Sequence, residues 1–412
     1  TRIVHENTQG GGTKTQILFV PLFQSNAFRA QYMDSFLFLH ADTPWVHTLA
    51  DRLADRHVVH ATMFTDWLVN WRQNVEWPIK EPENQLQRTK RVLPTGYAGR
   101  LSWASRPYLQ WTVNAWREEL RGETDTEPFV VVCYPWAERW VQGVPPERLV
   151  YYNLDEYALY RPERADTLRA QEARLVNRAG TTVCLSRFQV EQLRERHPDR
   201  ADRISHFPLG VQASFLNQTP ARPPEPNTVV YIGNVGDRVD WAFFEAVAAR
   251  CPNLTFRIVG GPIPDRASAD WEHRRAAVIE RPNVETIGRI PQAEVPAYYQ
   301  RHAVNWIPYD LEHPFNRASC PTKIMDGLAG GRPVVSTSVP ECQSYLDWID
   351  LADEPDVMAD VLKDQAALDA HNPERAKRQV AFARQHVWEK RADTFEQLLC
   401  MSYLETAHSS SA

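Results

Sequence analysis

The chain has 412 residues, 43% of them hydrophobic and 24% charged, with 46 Lys and Arg against 52 Asp and Glu for a net charge of -6. That length outgrows a single hydrophobic core and predicts two domains with a cleft between them; the composition excludes a disordered chain, and the acidic balance excludes an overall electrostatic footprint for nucleic acid. No apolar run approaches the roughly 20 residues of a membrane span, the polar start Thr1 to Gln16 is no signal peptide, and six cysteines without a Cys-x-x-Cys pair read as reduced, buried hydrophobes of a soluble cytoplasmic protein.

Residues 1–15, with Gly10-Gly11-Gly12, read as a flexible lead-in to an N-terminal domain over 16–217. Ile17-Leu18-Phe19-Val20 reads as its first buried strand, followed by helical spacing over 46–53 and a strand at Val58-Val59. Six of the fourteen tryptophans, Trp67, Trp71, Trp77, Trp103, Trp111 and Trp116, then fall among Lys80, Arg88, Lys90 and Arg91. They suit two roles: packing within irregular helices, or stacking on sugar rings and contact with the inner face of a membrane. Strands follow at 129–133, 149–152 and 181–185, with a helix over 165–179, and Ser186 with Gln189 forms a capping box that opens another. The proline-rich stretch 218–227 reads as a linker. Beyond it a C-terminal domain over 228–385 repeats the alternation: strands at 229–232, 256–259, 304–307 and 334–335, helices at 241–249 and 321–329, and one Ala-rich helical tail over 373–404. Strands alternating with helices predict an α/β fold whose parallel sheets are covered on both faces.

Ligands of open parallel sheets bind beyond the carboxyl ends of the strands. Three strand ends of the second half are chemically equipped for this. Gly233-Asn234-Val235-Gly236 and Gly260-Gly261 leave backbone room for a phosphate, with a plain strand end and a tight turn as the competing readings. The third is the segment from Ser319 through Pro321-Thr322-Lys323 and Asp326 to Gly331. Here Pro321 suits a helix start, and Lys323 and Asp326 share a face in the first two turns. A lysine and free amides there would hold a diphosphate, and a carboxylate one turn deeper would accept hydrogen bonds from ribose hydroxyls. An ion pair between Lys323 and Asp326, with no ligand, is the competing reading.

In order, Tyr231-Ile232-Gly233, Arg238 with Asp240, Ile258 to Gly261, Pro282-Asn283-Val284, Ile287 to Ile290, Ile307-Pro308-Tyr309 and Pro321 to Val335 resemble the donor half of bacterial GT-B glycosyltransferases. The likeness is greatest to capsule, exopolysaccharide and teichuronic acid enzymes; Tyr152 to Tyr157, Val183 to Ser186 and Phe207 to Val211 fit the same family's first domain. The resemblance implies two Rossmann-like domains, with the terminal helix 386–404 packed back on the first. It implies a sugar moved from a nucleotide donor, expected to be a UDP-sugar, to a glycan, lipid-linked or small-molecule acceptor, with no cofactor and no metal. Gly233, Asn234, Arg238, Gly260, Tyr309, Ser319, Pro321 and Thr322 would then line the donor site, with Gly288, Arg289 and Ile290 facing the nucleobase, Lys323 the diphosphate and Asp326 the ribose. Retaining relatives carry a Glu where this chain has Ala318, so inversion is the expectation. Inversion needs a general base, with Asp155 the first choice, Glu156 the second and His206 an alternative; the competing readings are that Asp155 only ties down its loop and that His206 is structural. A sugar-nucleotide epimerase, a phosphorylase and a non-catalytic nucleotide-sugar-binding protein are the competing functions.

Overall fold

The computed structural model describes residues 34–216, 223–261, 269–367 and 372–409. The lead-in, the strand read at 17–20 and residues 218–222 of the linker lie outside these. The first sheet comprises β1 (Ser35–Leu39), β2 (Val58–Asp66), β3 (Gln87–Leu93), β4 (Phe129–Val132), β5 (Leu149–Asn153), β6 (Thr181–Cys184) and β7 (Ile204–His206). The second comprises β8 (Glu225–Ile232), β9 (Thr255–Val259), β10 (Val284–Gly288), β11 (His302–Ile307), β12 (Val334–Ser336) and β13 (Asp350–Leu351). Their orders are β3-β2-β1-β4-β5-β6-β7 and β10-β9-β8-β11-β12-β13. Every neighbouring pair runs parallel. In each sheet the strand order reverses beside the first strand, β1 or β8, and a crevice opens there.

Helices on both faces explain why β1, Ser-Phe-Leu-Phe-Leu, is buried at all five positions. β3 escaped the sequence reading because Gln-Arg-Thr-Lys-Arg-Val-Leu is polar. It is an edge strand, where charge is tolerated and discourages pairing with another chain. The long helix Ser102–Thr124 also went unread, although its buried Leu109, Val113, Trp116 and Leu120 keep helical spacing. The capping box at Ser186 and Gln189 is present and opens the helix Arg187–Arg196.

Two expectations need correction. The linker is shorter than 218–227, because β8 already begins at Glu225. Pro226 lacks an N–H and Asn227 sits at φ 57°, but a register shift between His302 and Val304 absorbs the irregularity. Arg257 and Arg301 clamp the Glu225 carboxylate at that start. The tail, secondly, is two helices, Pro373–Arg384 and Trp388–Ser409. They separate where Val211 N–H donates to the His386 carbonyl at 3.0 Å and Val211 bridges Val387.

At that break the chain returns to the first sheet. Trp388, Phe395 and Leu399 enter the core built on β1, β4 and β5, and the Phe395 ring meets Phe38, Tyr152 and Phe207. Further ties cross between the halves. Ser186 Oγ donates to the Ala318 carbonyl at 2.7 Å, and the buried Glu341 accepts from Arg187 N–H at 2.9 Å and meets His206 Nε2 at 3.1 Å. No described helix is long and apolar enough to cross a membrane.

Candidate functional site

The carboxyl ends of β8, β9 and β10 are laced together by their backbones. Gly233 N–H donates to Val259 O at 2.9 Å, Val235 N–H to Gly261 O at 3.1 Å and Gly260 N–H to Gly288 O at 2.8 Å. This needs glycine at two places. A Cβ on Gly260 would lie 1.8 Å from the Gly233 carbonyl oxygen, and one on Gly233 would lie 2.6 Å from Lys323 Cε. Gly260 therefore lets the two loops pack, and Gly233 makes room for the lysine; neither lines either cavity of the cleft between the halves.

Lys323 stands in the first turn of the helix Thr322–Ala329, entered through Pro321, where backbone N–H groups have no intrahelical acceptor and the dipole favours an anion. Its Nζ donates to the Tyr309 hydroxyl at 2.8 Å and lies over the rings of Tyr231 and Tyr309. Arg238 also lies over the Tyr309 ring, 5.2 Å from its centre. Its Nε donates to Asn316 Oδ1 and its Nη2 to Ser319 Oγ, each at 2.8 Å. Asn316 in turn donates to the carbonyls of Arg238 and Asp310, so the guanidinium is oriented by a braced amide. Burial works against ionisation of Tyr309, yet Lys323 and Arg238 hold its phenol below the ordinary value. The hydrogen-bond partners of these cations are Tyr309, Asn316 and Ser319, and among the described residues neither has a carboxylate within ion-pair distance, so the competing Lys323–Asp326 ion pair does not form. Burial lifts Asp326 to about 7, with Lys323 pulling the other way.

Around these cations lies a cleft lined by Asn234, Arg238, Tyr309, Ser319, Thr322 and Lys323 from the second half and by Trp45, Leu154 and Asp155 from the first. A second cavity, walled by Tyr134, Trp136, Tyr157, Tyr160, Arg161 and Arg164, shares Trp45, Leu154, Asp155, Asn234 and Arg238 with it. Asp155 thus stands where the two cavities meet. Its carboxylate accepts from Glu156 N–H at 2.9 Å and from the Tyr160 hydroxyl; the Tyr160 ring packs 4.5 Å from Phe315 of the other half. Gly288, Arg289, Ile290 and Asp326 line neither cavity, although Arg289 lies against Gly261 beside the laced loops.

Glu156 and His206, the other base candidates, stand away from the cleft. Glu156 lines neither cavity and approaches Arg196 at 4.0 Å, and His206 is occupied with Glu341 at the contact between halves. Sequence reasoning missed the β1 side of the crevice. There Asp42 accepts from the Tyr134 hydroxyl at 2.8 Å, and burial raises its carboxyl to about 6. The available signal was Ala-Asp-Thr-Pro after an apolar run, in which Thr43 caps the helix Pro44–Leu53.

Comparison with known proteins agrees with this geometry. Residues 238–397 match the family described as "Glycosyl transferase-like". A Bacillus subtilis (strain 168) protein assigned as a teichuronic acid biosynthesis glycosyltransferase, TuaH, is 25% identical over 184 residues, spanning 43% of this chain and 45% of that protein. Among solved structures, HepE of Anabaena in complex with UDP superposes with a TM-score of 0.64 at 12% identity, covering 90% of this chain and 100% of that one. Sucrose-phosphate synthase of Thermosynechococcus elongatus gives 0.64 at 17% identity over the same shares. With two parallel sheets of matching strand order facing one cleft, and solved structures that superpose over 90% of its length, the chain has the GT-B fold, and its residues 238–397 carry the pattern of the glycosyl transferase-like family.

Proposed function

We propose that this protein is a glycosyltransferase that takes a sugar from a nucleotide diphosphate, a UDP-sugar by analogy with HepE, and passes it to a glycan or lipid-linked hydroxyl. The observation that carries the reading is the pair Lys323 and Arg238. Two cations without carboxylate partners among the described residues flank the start of one helix, at the carboxyl ends of the strands. Such an arrangement stabilises a diphosphate, and does so most as negative charge builds on the leaving phosphate oxygen.

In this mechanism the donor diphosphate lies at Thr322 and Lys323, and its sugar projects toward Asp155. The acceptor enters the second cavity, whose aromatic walls offer faces for stacking. Asp155 removes the hydroxyl proton as the acceptor oxygen bonds to the anomeric carbon from the face opposite the departing UDP. The bond from that carbon to the phosphate oxygen breaks, and UDP leaves with the negative charge. The product is inverted, and Lys323, Arg238 and the helix N-terminus supply the charge stabilisation that a metal would give in another design. All six cysteines are free, which suits a reducing compartment.

The deciding experiment is a screen of nucleotide sugars by thermal stabilisation, then release of nucleotide from the stabilising donor with and without a lipid-linked or glycan acceptor. A transferase releases UDP only when acceptor is present. Turnover of the sugar nucleotide without acceptor supports an epimerase instead, and stabilisation without any release supports a binding protein.

A further inference from the structure

The tryptophan cluster divides in two. Trp116 is buried, with Arg91 over its ring, and Trp77 is part-buried beneath Arg88. Arg88 and Lys90 donate to the carbonyls of Val75, Ile79 and Lys80, so these basic residues brace a loop. Trp67, Trp71, Trp103 and Trp111 are instead 58%, 72%, 75% and 66% exposed. Trp67 and Trp71 stack on each other, with rings 7° apart in plane.

The two helices that carry the exposed rings are tied together through one carboxylate. Asp66 caps the helix Trp67–Gln73 through Leu68 N–H and also accepts from the Thr95 hydroxyl at 2.8 Å and Gly96 N–H at 2.9 Å. That carboxylate pins the first helix to the turn that leads into Ser102–Thr124, the helix carrying Trp103 and Trp111. Residues 67–73 and 100–111 contain Arg72, Arg100 and Arg106 and no Asp or Glu. Exposed tryptophan beside arginine, with carboxylates only at the flanks in Asp66 and Glu76, matches the boundary of an anionic bilayer, where indole rests at headgroup depth and guanidinium meets phosphate.

The surface also adjoins the second cavity. Ala98, in the same turn, lines that cavity, and its carbonyl accepts from Arg164 at 3.3 Å. We propose that the helix Trp67–Gln73 and the first turns of Ser102–Thr124, through Trp111, form a docking face for an anionic lipid bilayer, which sets the acceptor cavity against the membrane so that a lipid-linked hydroxyl enters from its plane. The orientation of the acceptor rests on the transferase reading; the docking itself does not.

The test uses the full chain with no donor or acceptor, so its failure is separate from that of the transferase reading. Sedimentation with vesicles of phosphatidylglycerol and phosphatidylcholine should carry the protein down, while pure phosphatidylcholine carries less. Tryptophan emission should shift to the blue on binding. Replacing Trp67, Trp71, Trp103 and Trp111 together by Ser should weaken anionic-vesicle binding at least about tenfold, with melting temperature and UDP affinity unchanged, since binding strength scales with buried apolar area. Lys323→Ala should sediment as wild type does. Two results would overturn the proposal: wild type that stays in solution at low salt, or a fourfold variant that binds vesicles undiminished.

Discussion

At Lys323 the ammonium already donates to Tyr309 and faces no carboxylate at ion-pair distance among the described residues, so its removal takes away charge that only a ligand would neutralise. Lys323→Ala should weaken UDP binding by at most about 3 kcal/mol, the scale of one charge-assisted contact, with little change in melting temperature. Calorimetric titration with UDP checks this; unchanged affinity would remove the diphosphate from this helix. Asp155→Asn keeps the shape and removes the base, so donor affinity should hold while kcat falls by about 10²- to 10⁴-fold. A product of retained configuration, or near-normal turnover of the variant, would refute Asp155 as base. Asp326 gives a pH signature. Burial raises its carboxyl to about 7, so between its ordinary value and that point the folded chain holds a proton the unfolded chain has released. Stability from this group is therefore lost as pH rises from about 4 to about 7. Relative to wild type, Asp326→Asn should gain more in melting temperature at pH 8 than at pH 4.5, and equal gains would show that the carboxyl is not buried when charged.

Two glycines at neighbouring strand ends predict opposite outcomes at the level of the element. A Cβ at Gly233 meets the flexible tip of Lys323, at 2.6 and 2.7 Å, whereas one at Gly260 meets the rigid backbone of Gly233 at 1.8 Å. Gly233→Ala carries the strain of a side chain at φ 155°, but the lysine can swing aside, so it should fold with a smaller loss than Gly260→Ala and bind UDP as weakly as Lys323→Ala. Gly260→Ala should damage the lacing of β8, β9 and β10 itself and lower the melting temperature more. Measuring melting and UDP affinity on both variants separates the two effects; a Gly233 variant with native UDP affinity would show that the ammonium position is not set there. The element scale also shows the limits of pattern reading. β8 and β11 were legible as apolar runs because both faces are covered, while β3 was illegible because an edge strand can be polar.

For the whole molecule, the two halves are joined by the terminal helix as well as by the chain near residue 217. Phe395 is fully buried against Phe38, Tyr152 and Phe207, all from the first sheet or its edge. Phe395→Ala should cost about 3–5 kcal/mol, as truncating a core aromatic does. Denaturant unfolding followed by tryptophan fluorescence, in which buried Trp388 reports on the same junction, checks it. A loss under about 1 kcal/mol would mean that the helix is not part of the first core.

The sequence by itself determined the alternation of strand and helix, the capping box at Ser186, the glycine-rich strand ends and the helix that begins after Pro321. Each of these depends on contacts within a few residues, through hydrogen-bonding periodicity, side-chain caps or missing Cβ atoms. Only the tertiary structure decided that Asp155 meets the Arg238 cleft while its neighbour Glu156 turns to Arg196, because successive residues at a strand end point in different directions. It likewise separated the buried tryptophans from the exposed ones, and it revealed Asp42 beside Tyr134 across the reversal point of the first sheet. Such pairings join residues far apart in the chain, and their distances are set by how strands order and helices cover a sheet, which no local pattern encodes.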